Sequence, residues 1–368
     1  MSGILDYVVW RGDLSFSDSK FCEVDGSILS MLSYIEFGAL CEGKPMTLGE
    51  SAKKRCVKLR GKSEKFGLII PSENINDLFL SCAASNRFGK LLVTDFESYT
   101  SEKEMCQFAA VTFHLPSKRM VVAFRGTDDT IVGWREDVCL SYLDKIPAQT
   151  MAVAYLERIA AKYPDKRIYT CGHSKGGNLS LYSVVNCNES VATRVLKAYS
   201  YDGPGLDALS FNSPRYKSVK HKLEVIIPQS SFVGIMFNVG DRYTVVNGTR
   251  KGAFQHDSFY WSVRGGAFEH LDSLSERGKK NEEQFKATMT RMSLEERREL
   301  AETLFNIVEK TGAKTLTELT RGGVKHVGVI VRNYNGLDKQ KKEIILGLFL
   351  KLFDLGKDRQ NKQNLIIK

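Results

Sequence analysis

One short run constrains this chain more than any other. Arg167-Ile168-Tyr169-Thr170-Cys171 is β-favouring and leads straight into Gly172-His173-Ser174-Lys175-Gly176-Gly177-Asn178. The next stretch, residues 179–185, is small and apolar with helical character. The order is strand, sharp turn, helix, with a serine at the turn. A serine there sits on strained backbone. The positions two before and two after it must lack bulk, because strand and helix nearly collide. Glycine fills both. Such a turn lifts the hydroxyl above the sheet edge. The N–H of Lys175, at a helix N-terminus, is then placed to bind a developing oxyanion. Gly-x-Ser-x-Gly alone also describes an ordinary β-to-α turn; the flanking strand and helix patterns favour a nucleophile elbow.

Around this run, strand and helix signals alternate. Strands are predicted at residues 91–94, 108–115, 120–124, 195–201, 223–227 and 243–246, besides the strand that opens the elbow. Pro116-Ser117-Lys118-Arg119 turns the second into the third as a hairpin. Helices are predicted at 28–35 (after Asp25-Gly26-Ser27), 77–84, 151–163 and 343–355, with a turn cluster at 71–76. Ser293-Leu294-Glu295-Glu296 is a capping box that opens a further helix. This alternation predicts an α/β fold, a largely parallel sheet with helices on both faces. Ligands of such sheets sit at the carboxyl ends of the strands. Thr127, Ser174, Asp202, Ser231 and His256 all fall there. The chain divides into a helical lead-in or cap (1–90), an α/β core (91–274) and a helical C-terminal extension (275–368).

Composition narrows the class. At 368 residues the chain can bury a full core, and no apolar run is long enough to span a bilayer. The N-terminus lacks the basic and apolar regions of a secretory signal. The eight cysteines are scattered without CxxC pairs, which suggests reduced thiols in a cytoplasmic protein. The six histidines are dispersed as well, so neither a metal site nor a cofactor is expected. Most of the net charge of +10 lies beyond residue 275, with acids interspersed. That pattern fits solvated helix faces, or a weak contact of basic C-terminal helices with an anionic membrane surface; specific nucleic-acid binding is not expected.

Ser174 needs a base to take its proton. His256 follows the last predicted strand and is the candidate, with Phe254, Phe259 and Trp261 placed to pack its ring or line an acyl pocket. His173 should point away from the site if the elbow alternates normally. His114 lies within a strand, His221 and His270 in polar segments, and His326 in the tail. The acid that orients the base is less determined. Asp202 ends the strand after the elbow strand, and it could instead cap the Gly203-Pro204-Gly205 turn. Asp241 and Asp257 are the alternatives, although Asp257 adjoins His256 in sequence and cannot easily reach its ring. Thr127, in Phe124-Arg125-Gly126-Thr127, offers a second oxyanion donor beside the Lys175 N–H. Asp137 is placed to hold the Thr127 hydroxyl, and Arg125 reads as a structural ion-pair partner.

These residues resemble the class 3 lipase group of α/β-hydrolases: Phe-Arg-Gly-Thr, then Trp134 and Asp137, a helix ending in Tyr163-Pro164, and Gly-His-Ser-x-Gly-Gly. The nearer resemblance is to the bacterial Mbeg-like family. It is carried by Asp6-Tyr7, Trp10-Arg11-Gly12-Asp13-Leu14, Ser85-Asn86-Arg87-Phe88-Gly89, the elbow, Asp202-Gly203-Pro204-Gly205, Pro228-Gln229-Ser230-Ser231 and Gln255-His256-Asp257. It spans about residues 1–265. It implies an α/β-hydrolase fold and a serine hydrolase acting on a lipid or other acyl ester. One departure matters. The group carries its acid just after the strand that ends here at Ile227, where this chain has Gln229-Ser230-Ser231. Either Asp202 substitutes from the neighbouring strand end, or the triad is incomplete and the chain binds an acyl ligand or a partner without turnover. Lys175 also replaces the usual leucine after the serine; it would draw in an anionic substrate or face solvent.

Overall fold

The computed structural model describes residues 2–58, 72–240, 243–321, 323–337 and 342. The helix expected at 343–355 and the candidate Asp241 lie outside these residues. Five helices open the chain: α1 (Ile4–Arg11), α2 (Glu23–Leu32), α3 (Phe37–Cys41), α4 (Leu48–Lys58) and α5 (Ser72–Ala84). The sheet runs in sequence order: β1 (Met46–Thr47), β2 (Leu92–Ser101), β3 (Cys106–Leu115), β4 (Arg119–Phe124), β5 (Arg167–His173), β6 (Val195–Tyr201), β7 (Leu223–Pro228) and β8 (Thr244–Val246). β9 (Val263–Arg264) and β10 (Ala267–Phe268) form a separate hairpin, and β11 (His270–Leu271) closes the sheet antiparallel to β8. Neighbours from β1 to β4 are antiparallel, and those from β4 to β8 are parallel.

Strand order explains the layers. Parallel neighbours that follow one another in sequence, joined by right-handed crossovers, place every crossover helix on the same face. Those helices are α6 (Ile131–Cys139), α7 (Pro147–Lys162), α8 (Lys175–Asn186), α9 (Glu189–Ala192), α10 (Ala208–Asn212) and α11 (Pro214–Val219). Met120, Val122 and Phe124 of β4 pack with α7 and α8. Val121 and Ala123, alternating with them, face the other way and pack with residues of α1 to α5. The amino-terminal helices thus form the second layer that the crossovers leave out. α2 lies across β4, β5 and β6 and is buried from Val24 to Leu32. Each large apolar side chain enclosed this way contributes about 1.5–3 kcal/mol. The layer is pinned by a buried bidentate pair, Arg87 Nε to Asp25 Oδ1 at 2.7 Å and Arg87 Nη2 to Asp25 Oδ2 at 2.5 Å. The remaining Arg87 donors reach the carbonyls of Leu14, Ser15, Ser19 and Lys20. With these bonds Ser85–Gly89 is tied to the loop after α1. This architecture is an α/β-hydrolase fold.

Several local boundaries differ from expectation: α7 begins at Pro147 rather than at 151, and β2 runs on to Ser101 rather than ending at 94. Asp25-Gly26-Ser27 lies inside α2 rather than before it, because the Asp25 carboxylate accepts the Cys22 N–H and starts the helix earlier. α5 begins at Ser72, within the predicted turn, because Ile75, Leu78, Phe79 and Cys82 share one buried stripe. Trp134 to Asp137 form part of a helix, α6, capped by the Thr130 hydroxyl. The extension folds as α12 (Glu276–Arg291), α13 (Leu294–Glu309), α14 (Leu316–Arg321) and α15 (Gly323–Asn335), with the Ser293 capping box in place. Among the described residues, no helix is long and apolar enough to cross a membrane. Every cysteine whose side chain is described is a free thiol.

Candidate active site

Ser174 joins β5 to α8 with φ 57° and ψ −130°, a backbone conformation costly for any residue with a side chain. Packing around the turn holds it there. A Cβ on Gly172 would lie 2.0 Å from the Gly176 carbonyl oxygen, and one on Gly176 would lie 2.3 Å from that of Phe124. The crowding at the elbow is therefore real at both glycines. The Ser174 N–H donates to the Tyr201 carbonyl at 3.0 Å, and the Asp202 N–H donates to that of Ile226 at 2.8 Å. Ser174 and Asp202 thus follow directly on the adjacent strands β5 and β6, at the same sheet edge.

His256 arrives from the far side, in a 3-10 turn spanning Gly252–His256. Its Nδ1 lies 2.7 Å from Asp202 Oδ2. The carboxylate is wholly buried and the imidazole only 8% exposed. Because a carboxylate accepts, Nδ1 carries the proton and Nε2 is left with a lone pair. Asp202 itself has φ 47°. Its other oxygen accepts the Ser231 hydroxyl at 2.5 Å and the Gly234 N–H at 3.0 Å. The stretch 229–234 after β7, which has no carboxylate, thus supplies donors to the carboxylate at the end of β6. Ser231 was legible only as a strand-end residue without a role. The turn carrying His256 is stapled by Gln255, whose side chain accepts from Ser230 N–H and donates to the Gly248 and Arg250 carbonyls. Trp261, fully buried, donates its indole N–H to the Gln255 carbonyl at 2.7 Å.

Two histidines meet here, against expectation. His173 does not turn away: its ring lies 4.5 Å from that of His256, and its Nε2 donates to the His256 carbonyl at 2.6 Å. Burial, with the neighbouring His256, pushes its pKa down to about 3, so it is a neutral prop. Its place at the strand end decides this, and the register with β6 is not written in the local sequence. The imidazole Nδ1 goes to Asp202 and not to Asp257, whose carboxylate accepts the Phe259 N–H and whose pKa burial raises to about 6. Phe254 is 54% exposed, whereas Phe259 is buried. His114 bonds Thr94 and Lys166 in the sheet, and His270 pairs with Glu23.

Lys175 is the clearest correction. It neither faces solvent nor offers a charge to a substrate: its side chain is 1% exposed. Its ammonium donates to the Gln107 carbonyl at 2.8 Å, to Gln107 Oε1 at 2.6 Å and to Glu136 Oε2 at 2.9 Å. Burial opposes the charge, but Glu136 and Asp137 outweigh it and raise the pKa. Glu136 also accepts the N–H groups of Gln107 and Ala148, so both its oxygens are engaged. Asp137 takes the Thr127 hydroxyl on one oxygen, while its other oxygen lies 3.8 Å from Lys175 Nζ. Burial lifts the Asp137 pKa to about 6 against the pull of Lys175. Arg125 pairs with Glu36 at 2.6 Å and donates to the Ser33 carbonyl at 2.9 Å, joining the loop that carries Thr127 to the amino-terminal layer.

Similar backbones occur among solved structures. They include M37 lipase, at 16% identity and TM-score 0.35, covering 58% of this chain and 68% of that one. The native Rhizomucor miehei lipase propeptide complex is 14% identical at TM-score 0.35, covering 61% and 68%. The Lip2 lipase from Yarrowia lipolytica is 14% identical at TM-score 0.35, covering 61% and 80%. No curated protein matches the chain. A family model described as Mbeg1-like matches residues 82–306, a span that contains Thr127, the elbow, Asp202 and His256. The chain belongs to the Mbeg1-like family.

Proposed function

We propose that this protein is a serine hydrolase that cleaves an acyl ester through an acyl-enzyme on Ser174. The observation that carries this reading is the 2.7 Å contact between buried Asp202 and His256, at the sheet edge where the elbow presents Ser174. His256 Nε2 takes the Ser174 proton as the oxygen attacks the carbonyl carbon. Asp202 holds the ring and stabilises the imidazolium. The N–H groups of Lys175 and Thr127 receive the oxyanion, each such donor being worth about 3 kcal/mol of transition-state stabilisation. His256 then returns the proton to the departing alcohol, and water repeats the sequence to release the acid. A binder without turnover is motivated by the missing carboxylate in Gln229-Ser230-Ser231 after β7. That case weakens once Asp202 reaches His256 from β6.

A fluorophosphonate probe tests the reading. Ser174 should be phosphonylated in the folded chain and the labelling lost in Ser174→Ala. Failure of the folded protein to react, under conditions that label a control hydrolase, would remove the enzymatic reading. Short-chain p-nitrophenyl esters then ask whether the acyl-enzyme turns over.

A further inference from the structure

The loop between β4 and α6 carries Thr127, and it is held from two directions. Its first half is fixed by the core: the Arg125 N–H donates to the Ala109 carbonyl at 2.9 Å, and the Thr127 hydroxyl donates to Asp137. Its second half is fixed by the C-terminal extension. The Ile131 N–H donates to the Lys314 carbonyl, and the Leu316 N–H donates to the Asp129 carbonyl, both at 2.9 Å. Thr130 and Thr315 face each other between these bonds as an antiparallel bridge. The Thr317 N–H reaches Asp129 Oδ2 at 3.3 Å across 188 positions of sequence. Ion pairs brace the junction, Arg135 with Glu309 and Lys314 with Glu102. Ile131 is the first residue of α6, so its N–H has no acceptor within its own helix. The extension supplies one.

We propose that residues 314–317 are a clamp that fixes the β4–α6 loop and so aims the Thr127 N–H at the oxyanion. The catalytic consequence rests on the serine-hydrolase reading. An oxyanion donor works only if it is pre-aimed, and a displacement of about 1 Å in a reacting geometry costs on the order of a hundredfold. Without the extension, the loop between Thr127 and α6 would keep its internal turn, in which Asp128 Oδ1 accepts the Thr130 N–H and hydroxyl, and the Thr130 cap on α6. Among the described residues the extension otherwise buries little: Gly278 in α12, Ala301, Phe305 and Ile307 in α13, and Ala313 just before the clamp. Asp129, Ile131 and Leu316 are positioning residues in this scheme.

Leu316 opens α14, where proline is tolerated, so Leu316→Pro deletes the bridging N–H without breaking that helix. Leu316→Ala reports the loss of the side chain alone. In the full chain, Leu316→Pro should label Ser174 with the fluorophosphonate at least about tenfold more slowly than Leu316→Ala. It should also speed amide hydrogen exchange across residues 125–131 while β5 and β6 stay protected. In a Thr127→Val background, where the loop has already lost its tie to Asp137, the proline effect should shrink. Full additivity would assign the proline to a general loss of stability and overturn the clamp. Equal labelling of the two Leu316 variants would overturn it as well. Should the parent chain not react at all, the hydrolase reading falls, and exchange alone decides: faster exchange at 125–131 keeps the clamp, and unchanged exchange removes it.

Discussion

Two buried charge clusters flank Ser174, and they are built from the same kinds of residue. On one side Asp202 meets His256; on the other, Glu136 and Asp137 meet Lys175. Each sets carboxylates in the interior against a basic side chain. The difference lies in what that base can do. A neutral imidazole can accept a proton where an ammonium cannot, and His256 keeps one ring nitrogen outside its bond to Asp202. The Lys175 ammonium is spent on three acceptors, with its charge reinforced by Glu136 and Asp137. One cluster is arranged for a proton to move, the other for a charge to stay. A buried carboxylate therefore does not by itself mark a proton-transfer site; the proposed function rests on the ring nitrogen that His256 keeps outside its bond to Asp202.

The comparison breaks most sharply at Asp202. Asp202→Asn keeps an oxygen for Ser231 and Gly234 but loses the carboxylate behind His256. Ester turnover should fall by roughly 10⁴, with a melting temperature close to the parent's. A loss below tenfold would make the two clusters equivalent. Next comes Lys175→Met, which leaves Glu136 buried and uncompensated. It should cost about 3–5 kcal/mol in denaturant unfolding, and adding Glu136→Gln should recover part of that. A neutral Lys175→Met would show that the static cluster is not what secures the first turn of α8.

The smallest effect concerns pH. The Asp137 carboxyl is raised from 3.8 to about 6. Between those values the folded state holds a proton that the unfolded chain has released. This group's contribution to stability therefore falls as pH rises through the window. Asp137→Asn removes that dependence. The melting temperature of the variant, relative to the parent, should rise between about pH 4 and pH 7. A gap that stays constant with pH would contradict the assignment.

Much of the frame was legible because it is local. The elbow glycines, the hairpin at residues 116–119 and the capping box at Ser293 each state their geometry within a few residues. The placing of Thr127 and Asp202 just past strand ends followed from strand periodicity, and that of Ser174 from the elbow, whereas His256, expected at a strand end, sits in the 3-10 turn Gly252–His256 well beyond β8. His173 and Lys175 were misread for one shared reason. Each flanks the serine, and the direction of its side chain depends on what packs beside the elbow rather than on the elbow string.

The sequence by itself determined the strand–turn–helix with its strained serine and the alternation that builds an α/β sheet, since sterics and periodicity act between near neighbours. Tertiary structure alone decided which carboxylate meets His256, 54 positions away, and where the Lys175 charge is neutralised, 39 positions away. It also decided that the amino-terminal helices fill the face the crossovers leave bare. Those outcomes depend on strand order and register, which only the assembled sheet defines.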